Sequence, residues 1–295
     1  MKVRNPLLLL LAIFLFAPAR HACAQGLFRP KEGNMHVCAP AVPSYVVFAG
    51  DTIRFDTPER YERMDREMLA FTHMHSTSLL MLKRSKRCFS EVEPVLREKG
   101  LPDDFKYLMV IESNLDPKAL SVSGAAGLWQ FTKGTAHDYG LEVSTEVDER
   151  YNPEKETLAA CEFILRAYSL FHDWITVAAS YNCGIQGMER RVEEQRRSSA
   201  FDLWMPEETN RYIYRILAAK MLFENPAAFG FEMPECYPAR KIRQSVTVSE
   251  PVPSLVDFAE KYGVSYAELK RANLWLRSDK LTNKNKRSYT ILIPE

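Results

Sequence analysis

Nowhere in the 295 residues is there a Cys-x-x-Cys pair or a run of Cys and His at ligand spacing. The sequence therefore offers no basis for a zinc site, and no cofactor or metal is expected. An excess of one charge is also missing. Lys+Arg number 39 against 38 Asp+Glu, a net charge of +1, which gives no argument for nucleic acid as a partner. Long apolar runs are absent too. Leu7 to Ala17 carries no charge but is eleven residues long, against the ~20 that a spanning helix needs, so no integral membrane span is expected in the mature chain.

That short run is better read as a processing signal. Lys2 and Arg4 precede it, and Ala22-Cys23-Ala24 follows as a small-x-small cleavage site, which makes residues 1–24 a signal peptide and the mature chain an exported, envelope or periplasmic protein. Cys23 raises the alternative of lipidation, but Arg20-His21-Ala22 fits a lipoprotein signal poorly. Five cysteines then remain, Cys38, Cys88, Cys161, Cys183 and Cys236, an odd number that leaves at least one thiol outside any disulfide. Removing Lys2, Arg4 and Arg20 takes the net charge from +1 to −2. The tail is different: residues 240–295 hold 11 Lys/Arg and 6 Asp/Glu. A basic tail suits an anionic polymer, although a solvated basic surface explains the charge equally well.

Residues 25–56 read as irregular, punctuated by Pro30, Gly33, Pro40, Pro43 and Gly50, with Tyr45–Phe48 as a short extended piece. Thr57-Pro58-Glu59 is a strong helix start. Tyr61, Met64, Met68, Phe71, His75, Leu79 and Leu82 then recur at threes and fours, which predicts one long helix with His75 as a packing histidine. His73 and His75 point to different faces and do not form a joint metal site. The basic run 83–87 reads as that helix's solvated end, followed by a new start at the Ser90/Glu93 capping box and a stop at Gly100. Asn152-Pro153 opens another helix, with Leu158, Cys161, Leu165 and Tyr168 on its packing face. Further helices follow over Trp174–Tyr181 and from Met205-Pro206-Glu207 to about Phe223.

The chemically loaded stretch is 107–131. Phe105, Leu108, Met109 and Glu112 fall at i, i+3, i+4 and i+7, so Glu112 extends an apolar stripe. Burial raises a carboxyl pKa unless a cation pairs with it, and an acid protonated near neutrality is what a glycosidase places beside the scissile oxygen. The bland alternative is an ion pair or solvent contact at a fraying helix end. Asp116-Pro117 stops the helix, and Gly124 and Gly127 follow in a turn-rich segment whose bare backbone could let a ligand approach.

Glu112-Ser113, Gly127-Leu128-Trp129-Gln130-Phe131 and Ser180-Tyr181-Asn182-Cys183-Gly184, in that order and at these separations, resemble the three motifs of the lytic transglycosylases related to goose-type lysozyme, and within them the membrane-bound D type. The resemblance covers roughly 101–223. It implies a mainly α fold with a lysozyme-like α+β catalytic domain, and peptidoglycan glycan strands as the partner. It assigns Glu112 as catalytic acid, Ser121 to the substrate N-acetyl group, and Gln130 to the glutamine of the second motif, with Trp129 in place of methionine. Tyr181 and Asn182 match the third motif, whose tyrosine hydroxyl helps position the acid. Tyr212, in Glu208-Thr209-Asn210-Arg211-Tyr212-Ile213, matches a fourth, with Asn210 replacing the usual arginine. Trp129 and Phe131 are read equally well as core.

From Arg240 the pattern changes to strand, helix, helix, strand: Ser245–Val248, a helix capped by Ser254, one capped by Ser265 with Glu268, and a closing strand at Tyr289–Pro294. This resembles a small βααβ LysM module, which binds N-acetylglucosamine-containing glycans. The loop that usually reads Gly-Asp-Thr is here Glu250-Pro251-Val252-Pro253. The expected organisation is a signal peptide 1–24, an irregular segment and packing helix 25–87, a catalytic domain 88–235 and a LysM-like module 240–295. The expected activity is peptidoglycan lytic transglycosylation. A muramidase needs a second carboxylate to activate water, and the candidates are Asp103, Asp104, Asp116, Asp138, Glu142, Glu146 and Asp148, of which Glu146 and Asp148 have no assigned place. A non-catalytic wall-binding protein is the remaining alternative.

Overall fold

The structure, a computed structural model, describes residues 39–233 and 235–295. The expected signal peptide with Cys23, and the segment 25–38 with Cys38, lie outside the described residues. The fold is mainly helical with two small two-stranded sheets. Tyr45–Phe48 (β1) and Asp51–Arg54 (β2) form a hairpin where only the first strand was expected. Its two-residue turn, Ala49-Gly50, has positive φ at both positions, which matches the twist of the flanking strands. The Ala49 amide donates to Asp104 Oδ2 at 2.7 Å, and Lys220 holds the other oxygen at 2.6 Å.

The expected long helix is two. Pro58–His73 (α1) ends at Met74, whose ψ of 51° leaves helical space, and His75–Glu98 (α2) starts again at once. Met64, Met68, Phe71 and Leu82 are buried as the stripe predicts, but Tyr61 and Leu79 are exposed. His75 is exposed as well, its ring edge-on to Phe231 at 6.0 Å, so it is not a core histidine. The basic run 83–87 lies mid-helix, and so do Ser90, Glu93 and Pro94. Pro94 is exposed, so the Ser90 carbonyl that its missing N–H leaves unpaired lies on a watered face. Gly100 does end the helix: Leu101 N–H reaches the Leu96 carbonyl and Gly100 N–H that of Arg97, a Schellman closure. α2 therefore runs unbroken through the division expected at 87/88.

A 3₁₀ turn at Asp103–Phe105 leads into Lys106–Ser113 (α3). It stops at Asn114, in the left-handed region with φ 51°, before Asp116-Pro117 is reached. Lys133–Asp138 (α4), Pro153–Phe171 (α5), Trp174–Cys183 (α6) and Ile185–Gln195 (α7) follow, and Glu207–Glu224 (α8) closes the main core. α5 buries Glu156, Ala159, Ala160, Cys161, Phe163, Ile164 and Ala167; Cys161 is buried as expected, Leu158 and Tyr168 are half-buried, and Leu165 is exposed. The smaller residues let α5 pack closely on α2 and α6. α8 is the pivot, packed on α1, α3 and α6.

The tail forms as its local signals predict. Ile242–Val248 (β3) pairs antiparallel with Tyr289–Pro294 (β4), and Leu255–Lys261 (α9) and Tyr266–Ala272 (α10) lie between. Ser265 and Glu268 make the full capping box. The module is not a separate bead, however. Its core of Leu255, Leu269, Trp275, Leu281, Ile291 and Ile293 is continuous with Ala126, Val147 and Tyr151 of the preceding region. Val147 bridges to Leu276, Asp148 N–H donates to the Trp275 carbonyl at 2.9 Å, and Arg277 lies 4.5 Å from the Tyr151 ring centre. Among the described residues no helix is long and apolar enough to cross a membrane.

Candidate active site

The site is built where α3 meets α8. Leu108, Met109 and Phe105 anchor α3 in the core, and the same stripe carries Glu112 to its edge, where the side chain is half-buried. Tyr212, on the buried face of α8, donates its hydroxyl to Glu112 Oε1 at 2.6 Å. Desolvation pushes the Glu112 carboxyl up to about 7. The Tyr212 hydrogen bond and the more distant Arg215 charge oppose that rise, and the Glu208 charge adds to it. Burial, with the Glu112 charge next, holds the Tyr212 phenol far above its ordinary pKa, so it stays a donor.

Tyr181 stands elsewhere. Its hydroxyl donates to the Trp129 carbonyl at 2.8 Å, so the tyrosine that touches the acid is Tyr212. Tyr181 instead braces the segment that bears Gln130, where its ring also packs against Phe131 and Phe163. Asn182 accepts from the Thr209 hydroxyl at 2.9 Å, tying the end of α6 to the first turn of α8. Ser113 is buried and donates back to the Met109 carbonyl, a helix-internal bond with no reach to a ligand.

Gln130 sits at φ 52° and is half-buried, its amide donating to the Gly127 carbonyl at 2.8 Å and the Ala119 carbonyl at 3.3 Å. Ser121 is half-buried; its Oγ accepts from Ala125 N–H at 2.9 Å and shares a hydrogen with Ser123 Oγ at 2.9 Å. Trp129 and Phe131 are core, and the Trp129 indole N–H is satisfied by Thr157 Oγ1 at 3.0 Å. Gly127 serves packing, not ligand approach. A Cβ there would lie 1.7 Å from the Arg150 carbonyl oxygen and 2.4 Å from Glu156 Oε2.

Two residues that hold this segment escaped the sequence reading. Arg150, almost fully buried, pairs with Asp148 and donates to the Gly124 and Phe131 carbonyls at 2.8 and 3.1 Å, clamping both ends of the Gly127 turn. Glu156 is wholly buried, and its Oε2 accepts the Trp129 N–H at 3.1 Å. Burial lifts its pKa well above the ordinary carboxyl range, and among the described residues Oε1 has no hydrogen-bond partner. Glu156, Ala159, Ala160 and Phe163 repeat the spacing that marked Glu112, so that signal was present on α5.

The carboxylates considered for activating water are mostly engaged. Asp104 holds the hairpin, Asp116 pairs with Arg84, and Asp148 pairs with Arg150. Glu142 accepts from Tyr289 and Arg287, and Glu146 takes the Thr282 amide and hydroxyl, so these two bind the tail module. Asp103 and Asp138 are exposed. Glu208, not among those candidates, is the carboxylate whose charge reaches Glu112. Among the described residues no group of three His, Cys, Asp or Glu side chains could hold a metal ion. Cys88 and Cys161 are free, buried thiols whose pKa burial pushes up to about 12, which makes them unreactive near neutrality.

Residues 93–204 match the Transglycosylase SLT domain. Residues 244–295 match the Soluble lytic transglycosylase C-terminal LysM-like domain. The chain thus carries an SLT domain followed by a LysM-like module. The membrane-bound lytic murein transglycosylase D of Escherichia coli (strain K12) is 26% identical over 242 residues, 79% of this chain and 52% of that protein. The protein of the same name from a second Escherichia coli strain matches to the same extent. The chain spans about half the length of these curated relatives. A solved structure of an inactive mutant of the lytic transglycosylase Slt from Pseudomonas aeruginosa covers 50% of this chain and 25% of its own, at 19% identity and a TM-score of 0.39. That likeness is too slight to argue from.

Proposed function

We propose that this protein is a peptidoglycan lytic transglycosylase of the cell envelope, with Glu112 as its acid and base. The observation that carries the reading is a half-buried carboxyl poised near pH 7 whose one close partner is a phenol, inside an SLT domain. Such a group holds a proton at neutrality and can give it up. Glu112 protonates the oxygen between N-acetylmuramic acid and N-acetylglucosamine, and the bond to the muramoyl C1 breaks. The resulting carboxylate then takes the proton of the muramoyl C6 hydroxyl, whose oxygen closes onto C1. The product is a 1,6-anhydro end, no water is consumed, and the acid is regenerated. The substrate's own N-acetyl group stabilises the charge at C1, which is why one carboxyl suffices where hydrolases generally place two. On this reading Tyr212 holds the acid, Gln130 and Ser121 contact the strand, and Asn182 fixes α6 against α8. The LysM-like module supplies further glycan contact.

Mass spectrometry of products from purified sacculi tests the reading. Muropeptides lighter than the hydrolytic products by one water, and resistant to borohydride, are expected. Reducible ends that take up ¹⁸O from labelled water would overturn the lyase assignment and direct attention to Glu208 as the water-activating carboxylate.

A further inference from the structure

Trp204 is the most exposed large apolar side chain near the start of α8, at 86% relative exposure, yet its neighbours Leu203 and Met205 are buried. Its backbone is pinned at both polar atoms by one side chain. Gln195, the last residue of α7, accepts the Trp204 N–H at 2.7 Å and donates to its carbonyl at 2.9 Å. Asn210 then holds the Met205 carbonyl at 3.0 Å, so the segment is fixed to α8 as well. The indole is presented to solvent from a rigid mount. The concavity beside it, about 420 Å³, is walled by Arg190, Arg191, Glu194, Met205 and Pro206 together with the Gln195 clamp.

Trp204 precedes Tyr212, the partner of Glu112, by two extended residues and six helical ones, about 16 Å of backbone at most. A glycan strand whose scissile bond lies at Glu112 can reach that distance within a few sugar units. The electron-rich face of an indole packs against the apolar C–H face of a pyranose ring. Arg191 also donates to the Gly187 carbonyl at 2.6 Å, and the two guanidiniums outnumber the one Glu194 carboxylate in this lining, which leaves a net positive wall for the carboxylates that the stem peptides of a peptidoglycan strand carry.

We infer that Trp204, with Arg190 and Arg191, forms a secondary saccharide-binding platform that takes a pyranose ring of the strand and the carboxylate of its stem peptide. The inference rests on the transglycosylase reading. Trp129 and Trp275 are buried and Trp174 is stacked on Tyr168, so Trp204 is the tryptophan open to a collisional quencher. In the Glu112→Gln protein, saturating peptidoglycan strands should remove most of the acrylamide-quenchable fluorescence, and Trp204→Phe should abolish that component. Trp204→Ala should weaken strand binding roughly fivefold, while Leu79→Ala, which removes an exposed apolar side chain elsewhere, should not. Arg190→Ala should weaken binding of stem-bearing strands but not of strands stripped of peptide by an amidase. If strands bind and are cleaved by the unmutated protein while Trp204 stays fully quenchable, the platform is wrong and the enzymatic reading stands. If the unmutated protein neither binds nor cleaves strands, both fall.

Discussion

α8 meets two acids, one buried and one half-buried, with two consecutive residues and treats them in opposite ways. Arg211 turns to Glu67 of α1, whose carboxylate is almost fully buried and also accepts from Arg66. Tyr212 turns to Glu112 of α3 and offers only a phenol. Two guanidiniums pair with the Glu67 carboxylate, and Arg211 ties α8 to α1 through it. A phenol satisfies an oxygen while leaving desolvation in command of the proton. An acid on an apolar helix face is therefore ambiguous until its partner is known, and the partner separates a structural ion pair from a titrating group.

The largest effect should come from Glu112→Gln. Cleavage should fall by about 10²–10⁴-fold with the fold intact, measured as release of soluble muropeptides. The same substitution should stabilise the protein at high pH. The folded pKa, about 7, lies above the reference 4.5, so the native state holds this proton more tightly than the unfolded chain does. Its contribution is complete below the unfolded pKa and is lost as pH rises through about 7, at most about 3 kcal/mol. Urea midpoints of the two proteins should thus diverge between pH 5 and pH 8, with the variant the more stable at pH 8. Cleavage by the unmutated protein should likewise decline above pH 7.

Glu67→Ala should be the mirror image. It leaves Arg211 and Arg66 without their buried partner, and because both are partly exposed the loss should be about 1–3 kcal/mol in chemical denaturation. Activity per folded molecule should be unchanged; a large loss there would erase the contrast between the two acids. Tyr212→Phe should lower cleavage about tenfold. Because the hydroxyl lowers the Glu112 pKa, its removal should move the alkaline limb of the pH profile upward. An unmoved limb would mean that Tyr212 does not control the proton. Arg63→Ala, which removes surface pairs to Glu59 and Glu207, should change stability by less than about 0.5 kcal/mol in the same assay.

The sequence made local features legible. Helix caps at Thr57, Asn152, Ser254 and Ser265 formed where their side chains predict, because each needs only three residues of chain. Glu112 was legible for a similar reason, since its stripe is one helix long. The break at Met74 carries no Gly or Pro and gave no warning. On α5 Cys161 was legible and Leu165 misled; the alanines that allow close packing widen the buried face toward Glu156, which was overlooked. What Tyr181 and Tyr212 each touch lies 52 and 100 residues away in sequence, a separation that periodicity does not address. The Arg150 clamp and the Trp204 mount are non-local in the same way.

The shared core between the module and Ala126, Val147 and Tyr151 has a consequence for how the molecule comes apart. Ala126 is bridged to Leu120 and Phe131, on either side of the turn that carries Gln130, so peeling off the tail would expose apolar surface directly beneath that turn. Melting the tail would uncover Ala126, Val147 and Tyr151. Calorimetry should therefore record a single endotherm for residues 39–295, not one for each match, and a protease that nicks the tail should silence the enzyme as well.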